Sequence, residues 1–195
     1  MAQKQLFAAL LVTAFMTLLK CIHVDYRGVF IASPEMRKFV GTREPIWTYS
    51  ETGTSLVRCK VDITRTMNDR AVLFRRMYSY AGQKYSSDQW GVFDKLYKER
   101  MSIRPAGPTF YQMEQVIFMS QDYSCAVIMT TLIGTHVYIA PTRWYELRVR
   151  NSAIATGPHE ECLQEFKSVT YPRRIVYTPD CQRLLATAPT ADTKY

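Results

Sequence analysis

The feature that most constrains this chain is a series of strand-length runs, separated by turn chemistry at near-regular intervals. Between residues 56 and 64, Val57, Cys59, Val61 and Ile63 alternate with Arg58, Lys60, Asp62 and Thr64. Period two reads as a strand with one buried face and one wet face. Ile46–Tyr49 precedes it as a first strand, and Glu51-Thr52-Gly53 is the turn between them. Further runs cover 71–80, 89–97 (extended by 98–103), 110–119, 124–133, 136–139 and 143–150. Met67-Asn68-Asp69, Ala81-Gly82-Gln83, Pro105-Ala106-Gly107-Pro108 and Ser120-Gln121-Asp122 punctuate them. There is no βαβ rhythm and no internal repeat. The pattern predicts an all-β barrel or sandwich.

Two helices interrupt the series. Ser33-Pro34-Glu35 has the cap, proline and acid of a helix start, and Met36, Phe39 and Val40 give the helix an apolar stripe before Pro45. Gly157-Pro158 introduces the second. Glu160 and Glu161 sit in its positive first turn, Lys167 at its negative end, and Cys162, Leu163, Phe166 and Val169 on its apolar face. Arg173–Thr178 then returns as a short strand before Pro179-Asp180-Cys181.

The 195 residues suffice for one domain with a full core, and 47% hydrophobic residues exclude a disordered chain. Aromatics at 13% suit strands and a lined cavity. The net charge of +8 is spread over scattered Lys and Arg, which reads as solubility and not as a nucleic-acid face.

The N-terminus predicts the compartment. The run 6–19 is apolar and uncharged, too short to span a membrane comfortably, and followed by a polar domain. Residues 1–21 therefore read as a secretory signal peptide; Lys20, directly before Cys21, argues against a lipoprotein anchor. Losing Lys4 and Lys20 takes the charge from +8 to +6, and losing Cys21 leaves four of the five cysteines: Cys59, Cys125, Cys162 and Cys181. An even number in a secreted chain implies two disulfides, with three pairings open. The expectation is a secreted monomer with no membrane or nucleic-acid partner, a domain over 22–185 and a loose tail over 186–195.

His23, His136 and His159 lie in separate elements without metal-ligand spacing, and no G-x-S-x-G, H-E-x-x-H, P-loop or G-x-G-x-x-G sequence occurs. Catalysis, a metal and a cofactor are therefore not expected. The candidate binding residue is Glu146, which shares one strand face with Trp144 and Arg148. Trp47, Tyr49 and Tyr111 are further candidates for a pocket lining, and Trp90 has the same two readings, pocket or core.

Several pieces together resemble the tick salivary lipocalins, the group that contains the histamine-binding proteins. They are the Cys59 strand after a Trp-containing first strand, C-A-V-I from Cys125, Y-E-L from Tyr145, E-C-L-Q-E-F from Glu161 and V-Y-T-P-D-C from Val176. The resemblance implies an eight-stranded antiparallel barrel with a helix packed outside, and the pairings Cys59–Cys181 and Cys125–Cys162. It also implies capture of a small host mediator, such as histamine or serotonin, inside the barrel. Two departures matter. Ala126 stands where amine-binding members resemble one another in carrying an acid, and Arg148 where they carry an aromatic. An ammonium needs carboxylates and aromatic faces. Arg148 either neutralises Glu146 as a buried ion pair or faces an anionic head group of a fatty acid or leukotriene. A further alternative is a host plasma protein bound by the outer loops, as in an inhibitor of complement or haemostasis.

Overall fold

The computed structural model describes residues 22–24, 30–32, 34–104, 110–134, 142–169 and 172–186. The predicted signal peptide, the Ser33 cap, the Pro105–Pro108 break, the strand at 136–139, and residues 187–195 of the tail lie outside them. The chain divides into two compact units. The first holds an antiparallel pair, β1 (Ile22–Val24) and β2 (Phe30–Ala32). The second, from Glu35 onward, holds everything else.

That second unit is a closed barrel. Its eight strands are β3 (Ile46–Glu51), β4 (Arg58–Met67), β5 (Ala71–Tyr80), β6 (Gln83–Phe93), β7 (Arg100–Arg104), β8 (Phe110–Met119), β9 (Cys125–Gly134) and β10 (Thr142–Arg150). Each pairs antiparallel with the next, and β10 returns to β3, so the barrel leaves no open edge. A two-residue strand, β11 (Arg174–Ile175), adds to β3 from outside. Helix α1 (Met36–Val40) starts after Glu35, which makes no side-chain cap, and buries Met36, Phe39 and Val40. Helix α2 (Glu160–Val169) buries Cys162 and Phe166. A 3-10 turn (Pro179–Gln182) leads into α3 (Arg183–Ala186).

The largest boundary shift falls on the predicted strand 89–97, which starts at Gln83, six residues early, and stops at Phe93. Its first half, Q-K-Y-S-S-D, lacks apolar alternation, but six residue pairs with β5, from Gln83↔Tyr80 to Asp88↔Arg75, hold it. The proposed continuation through Tyr97 is instead a turn, in which Asp94 Oδ1 accepts the backbone N–H of Leu96 and Tyr97.

The barrel wall has two buried sides. Outward from it, Trp47, Val61, Met77, Val127, Leu147 and Val149 pack against Phe166, Tyr177 and Leu184. Both disulfides belong to this outer layer: Cys59–Cys181 and Cys125–Cys162. Cys125 points out toward α2 while Ala126 points in. Inside, α1 joins Ile46, Val72, Phe74, Phe93, Met101, Ile103, Val116 and Ile128 in a dry apolar floor. Gly91 faces this floor, where an added Cβ would lie 2.3 Å from Met101 Sδ. A side chain there would displace Met101 from its place.

Candidate functional site

Climbing the inner wall from the floor, each strand changes character together. On β5, Val72 and Phe74 give way to Arg76 and then Tyr78. On β8, Val116 gives way to Glu114 and then Gln112, and on β10 Arg148 is followed by Glu146 and Trp144. The barrel therefore has three storeys: an apolar floor, a layer of charges, and an open cavity of about 580 Å³. Cavities of this size hold one small organic molecule.

The charged layer is a continuous network. Glu146 is fully buried and saturated. Its Oε1 accepts from Lys60 Nζ at 2.6 Å and Trp144 Nε1 at 2.8 Å; its Oε2 accepts from Arg148 Nε at 2.9 Å and Thr48 Oγ1 at 3.2 Å. Arg148 straddles Glu114 with Nη1 and Nη2 at 2.7 and 2.6 Å. Arg76 holds Asp62 through Nε and Nη2, both at 2.7 Å, and reaches Glu114 Oε1 at 2.9 Å and Gln112 Oε1 at 3.0 Å. Bidentate geometry and full hydrogen bonding are the conditions under which buried ions offset their desolvation.

Burial alone would push both inner carboxyls up. For Glu114 the guanidiniums of Arg148 and Arg76 outweigh burial and bring it down to about 2. For Glu146, burial is likewise outweighed by Arg148 and Lys60, which hold it well below the usual carboxylate range. Groups with depressed folded pKa values contribute stability above their unfolded value of about 4.3, and that stability is lost as pH falls through the folded value. The melting temperature is therefore expected to stay level from pH 7 to about 5 and to fall steadily from about 4.5 toward 2. Thermal melts across this range check it; a melting point unchanged down to pH 2.5 would contradict the buried pairing.

Above the network, Glu51, Lys60, Arg76, Tyr78, Gln89, Gln112, Leu132, Arg143 and Trp144 are among the residues lining the cavity. Of the sequence candidates, Glu146, Arg148 and Trp144 come together here. Trp144 forms cavity wall, whereas Glu146 and Arg148 lie beneath it, bonded to each other and to Glu114.

Trp47 and Tyr49 do not reach the cavity, which corrects the sequence expectation. On β3 it is Thr48 that faces inward to Glu146, so Trp47 and Tyr49 face out. Trp47 donates from Nε1 to Asn151 Oδ1 at 2.9 Å and meets the Tyr177 ring edge-on at 5.1 Å, with Tyr49 stacked on Tyr177 at 6.4 Å. Trp90 stands on the outer surface, 51% exposed. The side chain of Tyr111 is outside the described residues.

Lys60 also departs from expectation. The sequence puts it on a wet face, but that face is the barrel interior, and Lys60 is only 7% exposed. The backbone helps: Cys59 takes a positive φ of 54° where the β4–β5 register shifts, so Cys59 turns out to its disulfide and Lys60 turns in. Glu51 is not in a turn either. It is the last residue of β3, buried, and lies directly opposite Glu146 across the β3–β10 pair. Arg174 on β11 and Ser55 hold its Oε1. Burial and the facing Glu146 push the Glu51 carboxyl up.

No metal-binding cluster of His, Cys, Asp or Glu occurs among the described residues, and none of their helices is long and apolar enough to cross a membrane.

No family model matches the chain, and no curated protein matches it in sequence. Its likeness is to solved structures. A serotonin complex of a protein called AM182 superposes with a TM-score of 0.59 at 19% identity, covering 78% of this chain and 95% of that one. A bovine odorant-binding protein, in a deswapped triple mutant, gives 0.47 at 12% identity, covering 65% of this chain and 82% of its own. The siderocalin Ex-FABP, described as having dual ligand specificities, gives 0.49 at 8%, covering 67% and 84%. The eight-stranded barrel, its outside strand and its C-terminal helix constitute a lipocalin fold.

Proposed function

We propose that this lipocalin-fold protein is a secreted scavenger that holds a small mediator away from its receptor, with nothing turned over. The observation that carries the reading is the cavity of about 580 Å³, walled by Trp144, Tyr78 and Leu132 over a self-neutralised layer of charge. The aromatic and apolar side chains of the wall supply affinity, and the polar groups among them set orientation. The uncharged apolar run at 6–19 and the two disulfides support export into an oxidising compartment. Host defence in a blood-feeding setting, the role implied by the family resemblance, is the biological use we assign to it.

Compact aromatic mediators of the biogenic-amine class, serotonin and histamine, are the first ligands to consider; the fold neighbour solved with serotonin supports testing them. Leukotrienes and fatty acids suit the site less well. The charged layer and the apolar floor fill the barrel beneath the cavity, so a long alkyl chain has no dry channel to enter. An open cavity also favours this reading over a protein inhibitor with a filled barrel.

Calorimetry on the mature chain should show stoichiometric binding of serotonin or histamine with micromolar or lower Kd, and weaker heat from a leukotriene. Trp144→Ala should weaken the bound amine about tenfold or more, by removing the aromatic wall. No heat from any of these ligands would end the scavenger reading.

A further inference from the structure

The paired charges around and beneath the cavity balance. Asp62, Glu114, Glu146 and Glu51 are four acids; Lys60, Arg76, Arg148 and Arg174 are the four bases that pair with them, and Arg143 is a further, exposed base on the cavity wall. A ligand carrying one net charge would give up its hydration to reach paired groups that have no net opposite charge among them. Yet the site is not inert. Both oxygens of Glu146, Glu114 and Asp62 are occupied within the network. Glu51 differs: Arg174 and Ser55 both donate to Oε1, and Oε2 has no hydrogen bond among the described residues. Lys60 differs as well. Of its three ammonium hydrogens, one serves Glu146, and the side chain lines the same cavity as Glu51. Both residues are more than nine-tenths buried, and both belong to the cavity wall.

We propose that the cavity is built for a zwitterionic head group of the α-amino-acid type, with its ammonium on Glu51 Oε2, its carboxylate on Lys60 Nζ, and its aromatic side chain against Trp144. This rests on the small-molecule reading above and refines its ligand class. A zwitterion adds no net charge to a balanced interior, and each of its ends meets a charge-assisted hydrogen bond of the correct sign. The two opposed carboxylates, Glu51 and Glu146, add a reason for a cation at this point. An ammonium on Glu51 relieves the repulsion across the β3–β10 pair, while the saturated Glu146 keeps Lys60 in place beneath. Glu51 is thus the group that selects the ligand, and Glu146 a positioning residue acting through Lys60.

Three indoles that differ only in their charged groups test this on the mature, oxidised chain: tryptamine (ammonium only), indole-3-propionate (carboxylate only) and tryptophan (both). Calorimetry should rank tryptophan about tenfold or more tighter than either singly charged indole. Glu51→Gln should bring tryptophan down to the level of indole-3-propionate, with the melting temperature of the variant recorded alongside. The wild-type ranking needs no variant, so it decides the matter even if Glu51→Gln fails to fold. Tryptamine bound as tightly as tryptophan, or tighter, overturns the zwitterion while leaving the scavenger reading intact. No heat from any of the three overturns this inference, and the serotonin and histamine titrations then decide the scavenger reading separately.

Discussion

Arg148→Met is expected to destabilise the protein by about 3–5 kcal/mol, the usual cost of leaving buried charges without their partner. Arg148 is the hub of the interior: its three guanidinium nitrogens serve two fully buried carboxylates, Glu146 and Glu114. Methionine fills much of the same volume, so the loss is electrostatic and not a cavity effect. For a domain of this length the melting temperature should fall by roughly 10 °C or more. The cause can be separated from a simple packing defect. Adding Glu114→Gln and Glu146→Gln to Arg148→Met removes the stranded charges and should recover part of the loss. A fall of less than about 2 °C for Arg148→Met, or no recovery in the triple variant, would show that the network is not held as described.

The second large effect is expected at the Cys59–Cys181 bridge, which spans 122 residues of sequence. Closing a loop of that size removes much of the freedom of the unfolded chain, and the chain-entropy model gives about 4–5 kcal/mol. Changing both cysteines to alanine should lower the unfolding free energy by that order, measured by denaturant titration. Cys125–Cys162 spans only 37 residues, and its removal should cost less, about 3–4 kcal/mol on the same model. Besides stability, the first bridge has a positional role. It ties the outer face of β4 to the C-terminal turn, at the bulge that sends Lys60 inward. The double variant should therefore bind cavity ligands more weakly as well. Unimpaired binding with full loss of stability would show that the bulge holds its shape without the bridge.

Much of the scaffold was legible in the chain itself. The strands at β5 and β8 match their sequence runs residue for residue, because alternating side chains and turn residues at both ends leave little choice of boundary. Helix α2 was legible from its acids, its basic end and its apolar stripe. The β6 start was not, since Gln83–Asp88 is polar and is held as a strand by its partner β5. Among site residues, Glu146, Arg148 and Trp144 could be grouped because they lie two apart on one strand. Lys60, Asp62, Arg76 and Glu114 could not. They come from other strands, and only the pairing register brings them to one level. Glu51 had a misleading signal, because the Thr-Gly that follows it looks like the turn it only precedes.

The amino-acid order alone determined that this chain makes strands, where most of them begin, which helix lies late in the chain, and where the cysteines fall along it. Those are local properties, set by side-chain period, capping and turn residues within a few positions. It did not determine which face of each strand became the inside. In a closed barrel covered on its outer wall, both faces are buried, so period two separates two sets of residues without saying which one meets the cavity. Closure of β10 onto β3, the bulge at Cys59 and the packing of Trp47 beneath Tyr177 made that choice. On β4 and β10 they turned the charged set inward above the apolar floor, where distant acids and bases neutralise one another, and turned the apolar set out beneath the C-terminal segments.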